Sequence, residues 1–286
     1  MKKKILAVVL CLALLAITVV GGTMAYFTDT GAKQNVFTVG NVSLQLNEEQ
    51  RVYDEQTGKY DNSAVEPFQN DLALVPAVIV PEDGVYSYDG EVTLGNGKTY
   101  NIWDATINNE RDKFVTVTNT GTEEAYVRVI FAFEDDAAGT VTQKLHTLWG
   151  DADGVYEEMI CKPNAEGEYV GMESGEAIYW LKNTDGSWLT LDLEGNGSCY
   201  TVAVFTYRAF LEPEQTSDPS LMQLWLDPSA TNAWSQAVGG QYNISVAALA
   251  VQADGFDAGS FADPASKAMD TAFDMTAANL LSWLTD

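Results

Sequence analysis

The chain contains one histidine, His146, and that limits the chemistry it can do. A zinc protease of the HExxH kind needs two histidines on one helix face. This sequence cannot supply them, and a zinc site would have to combine His146 with carboxylates. A serine triad would also depend on His146, and no GxSxG elbow accompanies it. The expectation is a protein without catalytic residues. Asp151 and Asp153, with Gly154 and then Glu157 and Glu158, resemble a calcium loop. They lack the full DxDxDG spacing and the terminal ligand, so they are partial calcium candidates set against a solvated acidic turn. Arg128 lies in an otherwise apolar run, where it would meet a ligand or, as is more usual, point to the outer face or pair with a buried acid. Trp180, Trp188 and Tyr200 offer a carbohydrate platform or, as aromatics on strands usually do, a core.

The elements that would carry these residues read mostly as strands. Phe37 to Leu46 alternates, with Gly40 as a bulge. Residues 47–70 are polar without a period and read as a loop. Leu74 to Val80 is punctuated by Pro76 and Pro81, which permits an edge strand at most. Phe114 to Thr118 and Ala125 to Phe133 flank Asn119-Thr120-Gly121-Thr122, and this spacing predicts an antiparallel hairpin. Val127, Val129, Phe131 and Phe133 share one face of the second strand. Residues 134–198 read as an insertion. It holds a short helix around Leu145, Leu148 and Trp149, and a hairpin formed by Ala177–Leu181 and Trp188–Leu191. Tyr200 to Leu211 and Tyr242 to Val251 are long β runs, the latter apolar on both faces and therefore expected to be central. Asp263 and Pro264 then open a C-terminal helix with Met269, Phe273 and Leu280 on its apolar stripe.

Composition narrows the function classes. The chain has 15 Lys and Arg against 41 Asp and Glu, a net charge of −26. That excludes a nucleic-acid binder, which needs clustered cations, and disfavours an anionic membrane surface. Lys2, Lys3 and Lys4 precede an uncharged apolar run from Ile5 to Val20, then Gly21-Gly22 and the small residues before Ala25. This is the layout of an export signal over residues 1–25, and the run is shorter than the roughly 20 residues a spanning helix wants. Without it the charge becomes −29, from 12 cationic and 41 acidic residues. Such a charge opposes self-association near neutral pH, so acid or divalent cations should favour any assembly. Two cysteines would remain, Cys161 and Cys199. Export would permit a disulfide between them, although the sequence does not establish its geometry.

Three blocks carry a family resemblance. The first is Gly21-Gly22-Thr23-Met24-Ala25 followed by Tyr26-Phe27-Thr28-Asp29 and Phe37-Thr38-Val39-Gly40-Asn41-Val42-Ser43-Leu44. The second runs from Val115 to Val129, and the third from Ala250 to Phe256. Together they resemble the TasA/camelysin family, whose members Gram-positive bacteria export through a SipW-type signal peptidase. The resemblance implies cleavage between Ala25 and Tyr26, leaving one domain over 26–286. It implies a mostly β, antiparallel, jelly-roll-like sandwich with inserted loops, and a place at the cell surface or in a biofilm matrix. It implies contact with the membrane only through the uncleaved signal. It also implies fibre growth by donor-strand exchange among copies or with matrix proteins, with Tyr26, Phe27 and Val36 anchoring the donated strand. Two other readings remain. One is a monomeric adhesin displaying 47–70 and 134–198 to a glycan or host protein. The other is a camelysin-like metallopeptidase, which a single histidine disfavours.

Overall fold

A computed structural model describes residues 42–54, 59–69, 74, 76–79, 88–104, 107–136, 144–150, 157–160, 178–181, 189–230, 242–254 and 264–285. In chain order the strands begin with β1 (Leu44–Asp54), β2 (Lys59–Pro67), β3 (Val78–Ile79), β4 (Gly90–Thr93), β5 (Thr99–Ile102) and β6 (Ile107–Asn108). They continue with β7 (Arg111–Asn119), β8 (Ala125–Asp135), β9 (Leu145–Trp149), β10 (Glu157–Ile160) and β11 (Ile178–Trp180). The last are β12 (Thr190–Leu191), β13 (Cys199–Thr206), β14 (Leu221–Leu226) and β15 (Ile244–Gln252). Two helices follow, α1 (Pro264–Ala272) and α2 (Ala277–Thr285).

Alternating residues build two facing antiparallel sheets. The six-stranded sheet runs β10-β9-β14-β7-β1-β2; the five-stranded sheet runs β11-β13-β8-β15, with β12 also on β13. Between them lie Leu44 and Leu46 of β1, Val115 and Val117 of β7, Val129, Phe131 and Phe133 of β8, and Phe205 of β13. Each sheet is also covered outside. Helices α1 and α2 place Ala268, Met269, Phe273 and Leu280 over Ile130, Val202, Val204 and Leu249. The β4–β5 hairpin places Val92, Leu94, Tyr100 and Ile102 over Phe114, Met222 and Trp225. Every residue of β8 from Ala125 to Phe133 is therefore buried. The fold is mostly β and antiparallel, as expected, with a C-terminal helical segment that is split in two.

Several local expectations are corrected. Residues 47–54 and 59–67 are not a loop: β1 continues to Asp54 and pairs antiparallel with β2, with Glu49 opposite Pro67 and Tyr53 opposite Tyr60. Strands β7 and β8 are not a hairpin, because they belong to different sheets. The turn between them is an arch. Its Thr120 and Gly121 N–H groups donate to Ser43 O at 2.8 and 3.2 Å. Asn119 Nδ2 donates to Glu123 O and Leu211 O at 2.8 and 2.9 Å. Donors that would close a hairpin instead bind the start of β1 and the 211 segment.

Leu145–Trp149 is a strand, not a helix, and β9 lies inside the six-stranded sheet between β10 and β14. Strands β11 and β12 do not pair as a hairpin. Both run along β13, Trp180 opposite Ala203 and Leu191 opposite Tyr200, so they form one interrupted edge. β15 lies at the sheet edge rather than its centre. Its faces are apolar because the sandwich core takes Ala248 and Ala250 while the helices cover Ala247 and Leu249.

Candidate functional site: the open edge of β1 and the groups around it

The chain reaches the described fold at Val42, which is fully buried, and enters β1 at once. On one side β1 is paired along its first half with β7, from Leu44 opposite Asn119 to Glu49 opposite Phe114. On the other side β2 begins its pairing only at Glu49, preceded by one bond from Phe68 N to Glu48 O at 2.9 Å. In a strand, alternate residues send N–H and C=O the same way. Glu48 faces the β2 side, so the backbone groups of Leu46 and Leu44 face it too. Among the described residues no strand stands there. The side chains at this edge are Gln45, exposed, and Asn47, half-buried and donating to Thr118 Oγ1 at 3.0 Å. Neither Lys nor Pro guards it, as commonly happens at a protected edge. β15, the outer strand of the opposite sheet, approaches β1 within 8 Å between Cα atoms, so two sheet edges share one seam.

The histidine is placed by packing. His146 lies on β9, its ring stacked on Trp225 with centroids 5.4 Å apart and planes 7° apart. Its Nε2 is 3.0 Å from Asp227 Oδ2. Burial pushes the Asp227 carboxyl up, but hydrogen bonds from Ser229 and His146 and the charge of Lys144 outweigh it and hold the group at about 2. Arg128 is buried on the outer face of β8, with Nε donating to Thr206 Oγ1 at 2.8 Å and Nη2 2.8 Å from Asp270 Oδ1 on α1. It therefore lies on the outer face, one of the expected alternatives, and helps dock the helix through an exposed acid rather than a buried one. Trp180 and Tyr200 are buried at 5% and 2% exposure, in core rather than as a platform. Cys199 is a free cysteine, half-buried. Its expected partner Cys161 lies outside the described residues, as do Asp151, Asp153, Ala25, Tyr26, Phe27, Val36 and Trp188.

One buried group of charges was not anticipated. Arg51 lies fully buried against Asp112, Asp104 and Glu110. The signal was obscure because Arg51 sits in a polar stretch, and its partners come from residues more than fifty positions away.

Residues 1–58 match the family described as camelysin metallo-endopeptidase. That match is to the TasA/camelysin family and is confined to the N-terminal part of the chain. The matched stretch covers the expected signal and mature N-terminus and ends between β1 and β2 in the sequence. No curated protein and no solved structure matches the chain. The family's description implies a metal. Among the described residues, no three His, Cys, Asp or Glu side chains stand where they could hold one. His146, committed to Trp225 and a single carboxylate, does not fit a zinc centre. Among the described residues no helix is long and apolar enough to cross a membrane.

Proposed function

We propose that this chain is an exported, non-enzymatic structural protein of the cell surface or biofilm matrix that assembles by strand addition. Residues 1–25 direct export through a SipW-type peptidase, and Tyr26 becomes the mature N-terminus. The segment from Tyr26 to Val36 of one copy, anchored by Tyr26, Phe27 and Val36, adds to the β1 edge of the next. The observation that carries this reading is the edge at Leu44–Asn47, which has no partner strand among the described residues and where the backbone groups of Leu44 and Leu46 face outward beside the core. Main-chain hydrogen bonds supply affinity in such β-augmentation, and alternate side chains supply selectivity. The net charge opposes assembly at neutral pH, so acid or divalent cations favour it.

Electron microscopy with light scattering on two purified forms tests the proposal, one beginning at Tyr26 and the other at Phe37. Filaments from the first alone, strongest at mildly acidic pH, are expected. Monomers from both at every pH would remove self-assembly. The non-enzymatic part is tested separately. A casein digest should show no chelator-sensitive cleavage, and cleavage abolished by His146→Ala would overturn it.

A further inference from the structure

The outer face of the six-stranded sheet holds the buried charges around Arg51, which strand addition does not use. Arg51 Nε donates to Asp112 Oδ2 at 2.6 Å and Nη2 to Asp112 Oδ1 at 3.0 Å. Its Nη1 donates to Asn62 Oδ1 and Asp104 Oδ1, each at 2.7 Å. Gln223 of β14 donates Nε2 to Asp112 Oδ1 at 2.9 Å and to Trp103 O at 2.8 Å. Tyr60 of β2 lies under the guanidinium, 4.4 Å from ring centroid to Cζ. Its hydroxyl is 3.5 Å from Glu110 O. Arg111 turns its Nη1 to the same carbonyl at 2.9 Å.

This gives one buried cation and three carboxylates. Asp112 takes the bidentate bond, and Asp104 keeps 34% side-chain exposure. Glu110 has neither advantage: it is 3% exposed and its Oε1 stands 3.6 Å from Arg51 Nη2. An ionised carboxylate there would lose its hydration and face two neighbours of like charge.

We propose that Glu110 is a proton-operated latch, seating the β4–β6 layer on the sheet when neutral and releasing it when ionised. The geometry links the charge to that layer directly. Asp104 follows β5, and Trp103 is tied through both backbone groups to Gln223, Trp103 N donating to Gln223 Oε1 at 2.8 Å. Glu110 itself joins β6 to β7. The charged and titratable groups facing it are Arg51 on β1, Tyr60 on β2, Asp104 after β5, and Arg111 and Asp112 on β7. Burial first, and then the charges of Asp112 and Asp104, push the Glu110 carboxyl up to about 8, against its own backbone N–H and Arg51. Because the folded value lies above the ordinary one, the stabilisation is fully present in acid. It is lost as pH rises through about 8.

Hydrogen exchange on the full-length monomer, corrected for intrinsic rates, tests the latch between pH 6 and 10. Opening of residues 90–104 should rise by up to about tenfold per pH unit as pH climbs towards about 8 and level off above it, while β8 stays protected. Glu110→Gln should flatten that response. Equal pH dependence in both proteins would overturn the latch. So would a carbon-13 titration of the wild-type Glu110 carboxyl with its midpoint below about 5. The second measurement stands even if the variant fails to fold, and neither needs the chain to assemble.

Discussion

At the scale of single residues, the buried ionic groups are the most sensitive points. Arg51 holds its donors against Asp112, Asp104 and Asn62, and removing it leaves buried acid uncompensated. Arg51→Ala should cost about 3–5 kcal/mol, measured as a shift in the urea midpoint. A loss under about 1 kcal/mol would show that water or rearrangement satisfies the acids. Asp227 behaves in the opposite sense to Glu110. Its folded value is depressed to about 2, so its contribution is present above the ordinary carboxylate range and lost as pH falls through about 2. Asp227→Asn should therefore lower thermal stability at pH 7 and narrow its gap from the parent protein in strong acid. A gap independent of pH would refute the pairing. Neither centre was legible locally. Arg51 sits among Glu, Gln and Asp in a stretch with no apolar period, and only tertiary partners make it a buried strand residue. His146 was legible as the single histidine, though not as one stacked on a tryptophan from β14.

At the scale of elements, alternation identified the strands, while their neighbours were decided elsewhere. The two faces of β8 and β15 follow the sequence pattern residue by residue. The same pattern could not distinguish a hairpin from an arch, because Asn119 and Gly121 serve either. The choice depends on Ser43 and Leu211 receiving their donors. The β4–β5 hairpin had a usable signal: Val92 and Leu94 alternate, then Gly95-Asn96-Gly97 turns the chain, then Tyr100 and Ile102 alternate back. β9 was read as helix because Leu145, Leu148 and Trp149 fall at i, i+3 and i+4, a spacing that a short strand buried on both faces also permits. Its end is tightly constrained. A Cβ on Gly150 would stand 1.7 Å from the Pro219 carbonyl oxygen, so the backbone must move. Gly150→Ala should cost at least the about 1–3 kcal/mol of ordinary overpacking, seen as a lower melting temperature.

For the whole molecule, two outer layers make the sandwich soluble and charge governs what it meets. Without residues 255–286, Ile130, Val202, Val204 and Leu249 would lose the cover of Met269, Phe273 and Leu280. That truncation should bind an apolar dye and aggregate on size exclusion, whereas a soluble, dye-silent product would mean the helices are dispensable. The negative charge should make any filament form faster as pH falls or divalent cations are added, and light scattering across that range reads the effect.

The interrupted edge along β13 bears on how such a molecule could grow. Among the described residues, backbone pairing with β13 runs from Ile178 to Leu181 and again over Thr190 and Leu191. An intruding chain would meet two short strands rather than one long one, too little for a stable ladder. The start of β1, by contrast, has an open row beside the core among the described residues. Unequal edges give the molecule a head and a tail. Contacts between unlike surfaces leave one of each unused at every step, so they propagate in one direction instead of closing into a symmetric pair.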